Sequence, residues 1–232
     1  MSIKKTIAIA SAKGGVGKSS ITSLLAKKLS RDFSIGILDA DIYGPNQHII
    51  FDVTSAKPEI IEEDHKKRFI PLNVEGIRLN SMGFILDNEK AAIWRGPMLS
   101  GAIKQLNELT KWGDMDYLLI DMPPGTGDAY LTVASEIKPD GVILVTSNSK
   151  LAVSDTLKSV HVFRKLNLPC MGFILNMVDD SEGKFILSAD EVENMLGTNF
   201  LGCIPLNDEI KNFNFDSIDD SLFGIVDNVA NA

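Results

Sequence analysis

The sequence predicts an α/β fold in which a doubly wound, mainly parallel sheet carries helices on both faces. Short and nearly continuous apolar runs are typical of parallel strands covered on both sides, and they occur here as TIAIA, SIGIL, DYLLI, GVILVT, MGFIL and FLGCI. Amphipathic helical patterns lie between them, at about residues 17–30, 97–111, 127–137, 151–166 and 188–196. Strands that alternate with helices in this way indicate right-handed βαβ crossovers.

The first apolar run leads into the glycine-rich stretch SAKGGVGKSS, residues 11–20, and then into the first helical pattern. A turn of this kind at a helix N-terminus presents backbone N–H groups and the positive end of the helix dipole to a polyphosphate. In the pattern G-x-x-x-x-G-K-[ST], Lys18 would supply charge for the β- and γ-phosphates and the Ser19 hydroxyl would ligate Mg²⁺. We therefore predict that this loop binds the phosphates of a nucleotide through Gly14, Gly15, Val16, Gly17, Lys18, Ser19 and Ser20.

Aspartates follow two further strands at the predicted carboxyl edge of the sheet. The second strand ends in ILDADIYGPN, which carries Asp39 and Asp41, and the DYLLI strand ends at Asp121. Asp41 is the candidate for orienting an attacking water, and Asp121 is the candidate for holding Mg²⁺ through water. A single aspartate after a strand is often only a helix cap. Two such strand ends beside a phosphate loop favour a catalytic site.

The region from about residue 51 to 93 interrupts the alternation of strands and helices. Its charged stretch EEDHKKR is interpreted as the solvated face of a loop. The following FIPLNVEGIRLNSMGF predicts two short strands around a turn. Because 232 residues with 44% hydrophobic composition are ordinary for one α/β sheet protein, we expect a single domain over residues 1–232.

Composition and charge narrow the classes of partner. The formal net charge of −8 and the isoelectric point near 4.9 argue against broad attraction to nucleic acid or to anionic lipid. No segment approaches a membrane-spanning length, and MSIKKTIAIA leads directly into the first strand. The expected compartment is the cytoplasm. The two cysteines, Cys170 and Cys203, lie too far apart in sequence to indicate a disulfide framework.

The phosphate loop departs from the usual pattern, since Ala12 occupies the first glycine position and a second lysine, Lys13, follows it. These features resemble the deviant Walker A motif, K-G-G-x-G-K-[ST], of the family that includes MinD, ParA and the nitrogenase iron protein. The resemblance implies that Lys13 reaches across an ATP-sandwich dimer to the phosphates bound by the partner subunit.

Further motifs resemble the Mrp/ApbC branch of these ATPases, which is associated with the assembly and transfer of iron–sulfur clusters. DADIYGPN, SMGF, WRGPM and DMPPGTGD occur in that order, and the resemblance extends from residue 5 to about 210. It implies that adenine is bound by Asn176, Pro205 and Leu206; a carboxamide can pair with both donor and acceptor edges of the base. Trp94-Arg95-Gly96-Pro97 could be either the start of a helix or a surface near the dimer partner.

The resemblance fails where these relatives carry a C-x-x-C pair, because this chain has NMVDDSEGKFILSADE at that place. Two subunits with such pairs would present the four thiolates that a [4Fe–4S] cluster needs. Cys170 and Cys203 lie in apolar strands, so both are expected to be small core residues with buried thiols of raised pKa. An iron–sulfur cluster is therefore doubtful on this chain alone.

Three functions remain open at this point. The first is a Mg-ATP-hydrolysing protein of the Mrp type in iron–sulfur assembly, acting as a homodimer or as a heterodimer with a cysteine-bearing relative, with assembly or client proteins as partners. The second is a positioning or regulatory ATPase like MinD or ParA. Its membrane-bound form is disfavoured by the acidic tail, which contains Asp216, Asp219, Asp220 and Asp227. The third is a nucleotide-binding module without catalysis, and the presence of Lys18, Asp41 and Asp121 argues against it.

Overall fold

A computed structural model describes residues 2–63, 65–85, 96–178, 186–215, 218 and 228–229. The strands are β1 (Ile3–Ala10), β2 (Ile35–Asp39), β3 (Glu59–Glu63), β4 (Lys66–Ile70), β5 (Leu72–Val74), β6 (Ile77–Ser81), β7 (Met115–Asp121), β8 (Gly141–Thr146), β9 (Cys170–Val178) and β10 (Phe200–Pro205). The helices are α1 (Lys18–Leu29), α2 (Gln47–Ile50), α3 (Gly96–Leu109), α4 (Asp128–Ile137), α5 (Lys150–Lys165), α6 (Ala189–Leu196) and α7 (Asp208–Lys211).

Some predicted features lie outside the described residues. These are Trp94 and Arg95, residues 179–185 of the segment where relatives carry the cysteine pair, and the tail residues Asp216, Asp219, Asp220 and Asp227. Gly96 and Pro97 form the first turn of α3.

The principal sheet has the strand order β10-β9-β8-β1-β7-β2-β6-β5. Neighbouring strands pair in parallel from β10 through β6, and β5 pairs antiparallel with β6 at the edge. The sheet reverses its winding at β1, since the chain proceeds first to β2 and β7 on one side and later to β8, β9 and β10 on the other. The predicted doubly wound, mainly parallel fold is confirmed.

Side chains of β1 alternate between two apolar layers, because successive residues of a strand point to opposite faces of the sheet. Ile7 and Ile9 belong to the layer beneath α1 together with Ile21 and Leu25 of that helix. Ala8 and Ala10 belong to the opposite layer, which contains residues of α3, α4, α5 and α6. Both faces of the sheet are therefore covered, as the continuous apolar runs predict.

The described residues of the charged stretch EEDHKKR are mostly exposed, as the interpretation expects, but residues 62–63 and 66–68 lie in strands, so the interpretation as a loop is wrong. These residues form the ends of β3 and β4, which pair as an antiparallel two-stranded ribbon. Glu62 lies opposite Lys67 and Glu63 lies opposite Lys66, so residues of opposite charge are paired in register across the two strands. The Glu63 carboxylate also pairs with the Lys111 ammonium at 3.1 Å. The Lys111 N–H donates to the Phe69 carbonyl at 2.8 Å and attaches the ribbon to the segment after α3.

The two short strands predicted in FIPLNVEGIRLNSMGF are confirmed as β5 and β6. Glu75 and Gly76 connect them with φ angles of 53° and 84°. Left-handed conformation at both central positions is the requirement of a tight hairpin turn.

The expectation that both cysteines lie in the core holds for Cys170 and is wrong for Cys203. Cys170 is half-buried against the core, and burial raises the pKa of its thiol. Cys203 is exposed on β10, the edge strand of the sheet, in which Leu201 and Ile204 are the buried residues. An apolar strand pattern cannot distinguish an edge strand from a central one.

Among the described helices, none combines the length and the apolar character needed to cross a membrane.

Candidate functional site

The phosphate loop lies where β1 meets α1 and forms one wall of a cleft of about 570 Å³. Gly15 and Gly17 have φ angles of 85° and 82°, which L side chains adopt only with strain. A Cβ atom at Gly17 would also lie 2.2 Å from Nδ2 of Asn176. The glycines at these two positions are therefore needed for the shape of the loop. The predicted loop residues that line the cleft are Lys13, Gly14, Gly15, Gly17, Lys18, Ser19 and Ser20.

Lys18 and Asp121 meet beneath the loop. The Lys18 ammonium forms a buried ion pair with Oδ1 of Asp121, and it lies 3.2 Å from the Ser19 hydroxyl oxygen. The Thr22 hydroxyl lies 3.3 Å from the same carboxylate oxygen. Asp121 is fully buried at the carboxyl end of β7, the strand next to β1 in the sheet. The structure thus brings together the two predicted magnesium ligands and the predicted phosphate-binding lysine.

The oxygen ligands fit a magnesium ion. Ser19 and Asp121 supply hard oxygen donors, and Mg²⁺ is commonly held by one or two protein oxygens together with substrate phosphates and water. Within the described ranges, no group of three or more His, Cys, Asp or Glu side chains is arranged to hold a metal ion. Ser19 and Asp121 are thus a partial donor set, of the kind that holds Mg²⁺ together with phosphate and water oxygens.

Asp41 lines the cleft beside the loop, two residues after the end of β2. Its Oδ1 accepts hydrogen bonds from the backbone N–H groups of Tyr43 and Gly44 at 3.2 and 3.1 Å. Burial raises the pKa of this carboxyl above its ordinary value. The carboxylate is thus held at the wall of the cleft by the turn that follows it, within the cavity that the phosphate loop also lines.

Asp39 is fully buried and organises the loop that follows β2. Its Oδ2 accepts hydrogen bonds from the backbone N–H groups of Asn46 and Gln47 at 3.0 and 3.1 Å and from the Ser81 hydroxyl at 2.8 Å. Burial, followed by the nearby charge of Asp121, raises the pKa of Asp39 to about 7. Asp39 is therefore a structural anchor of this loop and does not line the cleft.

Gln47, the first residue of α2, is a site residue that the sequence does not predict. It is fully buried, and its Nε2 donates to Oδ2 of Asp121 at 2.8 Å and to the Ser19 carbonyl at 3.1 Å. Its Oε1 accepts from the Ser23 hydroxyl at 2.7 Å. No pattern in the sequence indicates this role, because a single glutamine after YGPN is not part of a recognisable binding motif.

Lys13 lies at the surface end of the cleft, where its side chain is 51% exposed. Its ammonium is 2.6 Å from Oδ2 of Asp155 on α5 of the same chain, and Lys158 pairs with the other oxygen of Asp155 at 2.7 Å. The hydrogen bonds from the two lysines lower the pKa of Asp155 to about 2. The sequence does not predict this partner within the chain, since Asp155 is distant from Lys13 and belongs to no motif.

The residues predicted to bind adenine lie together at the carboxyl ends of β9 and β10. Asn176, Pro205 and Leu206 line a small cleft of about 30 Å³ with Ser20 of α1. Nδ2 of Asn176 donates to the Val16 carbonyl at 2.8 Å, so this side chain also holds the backbone of the phosphate loop. The sequence gives no indication of that contact.

Comparison with known proteins agrees with this geometry. A family model described as "ParA: NUBPL iron-transfer P-loop NTPase" matches residues 2–221. An iron–sulfur cluster carrier protein from Pseudomonas fragi is 46% identical over 177 residues, which cover 75% of this chain and 61% of the relative. The iron–sulfur cluster transfer protein NUBPL from Dictyostelium discoideum is 36% identical over 218 residues, which cover 90% of this chain and 67% of the relative.

A solved structure is similar over almost the whole chain. The nucleotide-binding protein from Archaeoglobus fulgidus, determined in complex with ADP, has a TM-score of 0.76 and 30% sequence identity, with coverage of 97% of this chain and 88% of that protein. This chain spans about 61% of the length of the Pseudomonas fragi relative, so the relative also contains sequence that the match does not reach.

Proposed function

The chain belongs to the ParA family, in the group described as NUBPL iron-transfer P-loop NTPases, and we propose that it binds and hydrolyses Mg-ATP as an ATP-sandwich dimer that serves iron–sulfur cluster assembly or transfer. The single observation that carries the nucleotide chemistry is the convergence of Lys18, Ser19 and Asp121 beneath a glycine loop at the edge of an open cleft.

Binding of the nucleotide would change the partner of Lys18. The Lys18 ammonium contacts the Asp121 carboxylate, and the β- and γ-phosphates would attract the same ammonium into the cleft. Oδ1 of Asp121 would then be available to hold a metal ion through water, with the Ser19 hydroxyl as the direct protein ligand. Ser19 and Asp121 would hold the ion, and a bound Mg²⁺ would supply positive charge beside the phosphates.

Hydrolysis would proceed by in-line attack of water on the γ-phosphate. Asp41 would orient this water, since its carboxylate lines the cleft and the Tyr43 and Gly44 N–H groups hold it. Lys18 and the N–H groups of the phosphate loop would stabilise the phosphoryl oxygens. Such catalysis depends mainly on positioning and charge, with little covalent chemistry by the protein.

Lys13 would act in the partner subunit's site after leaving Asp155. The Lys13–Asp155 pair is an exposed surface ion pair, and pairs of this kind contribute little to stability. Exchange of the Asp155 carboxylate for phosphate oxygens across a dimer would therefore cost little free energy. This step would couple dimer formation to hydrolysis.

The names of the relatives support the cluster-transfer part of the proposal. The chain contains only Cys170 and Cys203, and of these only Cys203 is exposed. Two copies would therefore offer two exposed thiols, where a [4Fe–4S] cluster needs four ligands. The cluster is accordingly cargo that a cysteine-bearing partner would hold, and this chain would contribute the ATP-driven step.

Anaerobic reconstitution and transfer assays test this proposal. The isolated chain, incubated with iron and sulfide, should stay colourless, whereas a mixture with a cysteine-bearing relative of the family should take up a cluster and transfer it to an apo-ferredoxin in an ATP-dependent way. Lys18→Ala should abolish the ATP dependence, and Cys203→Ser should leave it unchanged. A stoichiometric cluster on the isolated chain that is lost in Cys203→Ser would overturn the division of roles.

A further inference from the structure

Gln47 is the buried side chain that connects the elements on which the proposed magnesium site depends. Its amide contacts Asp121 at the end of β7, while Ser19 and Ser23 belong to α1, the helix that follows the phosphate loop. Gln47 itself begins α2, whose residues Ile49 and Ile50 line the cleft. One side chain thus links the phosphate loop, the metal-ligand strand and the cleft wall.

The hydrogen bonds determine the orientation of the amide. The Ser19 carbonyl and the Asp121 carboxylate can only accept hydrogen bonds, so both must face the NH₂ group of Gln47. The oxygen of the amide then faces the Ser23 hydroxyl, which can donate. A reversed amide would place its oxygen against the Asp121 carboxylate, and this arrangement is unfavourable in a buried site.

We propose that Gln47 is a positioning residue for magnesium, which holds Oδ2 of Asp121 so that Oδ1 is directed to the metal beside Ser19. The inference rests on the proposed function, because it requires that nucleotide binding draws Lys18 away from Oδ1. Gln47 is then the neutral donor on Oδ2 of Asp121, whereas the Thr22 hydroxyl lies near Oδ1. A neutral donor fixes the carboxylate without competing with the metal for its charge.

The proposal predicts a specific loss of magnesium-dependent affinity. Calorimetric titration with ADP, once in EDTA and once in excess Mg²⁺, gives the factor by which the metal strengthens binding. In Gln47→Met, which keeps the length of the side chain but removes its hydrogen bonds, this factor should fall about tenfold, as expected for one buried bond to a charged group. The affinity in EDTA should stay within about twofold of wild type. Gln105→Met, the same change at an exposed position of α3, should alter neither value.

A second variant keeps the proposal testable if Gln47→Met folds poorly. Ser23→Ala removes the donor to the amide oxygen, together with the contact of the same hydroxyl with the Ser19 carbonyl at 2.9 Å within α1. It substitutes a strong helix former, so it should lower the same factor by about threefold. An equal loss of ADP affinity in EDTA and in Mg²⁺ would show that Gln47 only supports the cleft wall. If the factor by which Mg²⁺ strengthens ADP binding stays at the wild-type value, the proposal is likewise overturned. If the wild-type protein shows no strengthening by Mg²⁺, the proposed function itself fails.

Discussion

Replacement of Gly17 by alanine perturbs the phosphate loop in two ways that the structure separates. The residue has a φ angle of 82°, and an alanine in this left-handed region costs roughly 1–2 kcal/mol. The new Cβ would also lie 2.2 Å from Nδ2 of Asn176 and would displace it from the Val16 carbonyl. Loss of that buried hydrogen bond costs a further 1–3 kcal/mol or so. The free energy of unfolding should therefore fall by roughly 2–5 kcal/mol.

Two neighbouring glycines provide matched controls in the same loop. Gly15 has a φ angle of 85°, but a Cβ atom added there would meet no other atom within 4 Å, so Gly15→Ala should cost only the conformational part, about 1–2 kcal/mol. Gly14 has neither feature, and Gly14→Ala should leave stability unchanged or raise it slightly. The assay is urea unfolding in the absence of nucleotide, monitored by circular dichroism. A change in the stability of the loop appears as a change in the free energy of the global unfolding transition.

A double-mutant cycle isolates the contact with Asn176. In an Asn176→Ala background the clash and the hydrogen bond are both absent, so Gly17→Ala should cost no more than Gly15→Ala does. The reasoning is refuted if Gly17→Ala and Gly15→Ala have the same cost in the wild-type background, since the contact with Asn176 would then carry no energy.

Further predictions concern the charged groups of the site. Lys13→Ala should keep the affinity for ATP but lose the increase of the hydrolysis rate with protein concentration. Lys158→Ala, which removes the other lysine that pairs with Asp155, should behave as wild type. Equal hydrolysis rates in the two variants would contradict a role for Lys13 across the dimer. Asp41→Asn should slow hydrolysis and prolong the ATP-bound dimer in light scattering, and a dimer of wild-type lifetime would oppose the role of Asp41. The pKa of Asp39 is raised from 3.8 to about 7 in the folded state, so the folded protein binds this proton more tightly than the unfolded chain. Titration of Asp39 should therefore lower the unfolding free energy in EDTA by about 1 kcal/mol per pH unit between about pH 4 and 7. This contribution is measured as the difference between the slopes of wild type and Asp39→Asn, and equal slopes would show that Asp39 does not titrate there.

The sequence predicts the central sheet well because each strand carries its own local signal. The apolar run GVILVT, for example, predicts a strand with the same bounds that β8 has in the structure. Where the signal is charge, as in EEDHKKR, composition indicates exposure but not conformation, since exposed charged residues occur both in loops and in two-stranded ribbons. The exposure of Cys203 could not be predicted either, because it depends on the order of the strands in the sheet.

The phosphate loop and the strand-end aspartates are recognisable in the sequence because each belongs to a motif of fixed spacing. The contacts of Gln47, Asp155 and Asn176 are not recognisable there, because they arise from the approach of elements that are distant in sequence. Asn176 and Val16, for example, are separated by 160 residues. The sequence therefore indicates which residues could perform the chemistry, whereas the side chains that position them become visible only in the fold.

The most direct test of the account is ATP hydrolysis by the purified chain in Mg²⁺, measured over a hundredfold range of protein concentration. The rate per subunit should rise with concentration, because in the proposed sandwich dimer a second copy would complete each site, and Lys18→Ala should show neither ATP binding nor turnover. Lys27→Ala provides the control, since Lys27 lies on the same helix but pairs with Glu75 away from the cleft. Hydrolysis at the wild-type rate in Lys18→Ala, or its absence in the wild-type protein at every concentration, would contradict the assignment of this chain as a dimeric Mg-ATPase.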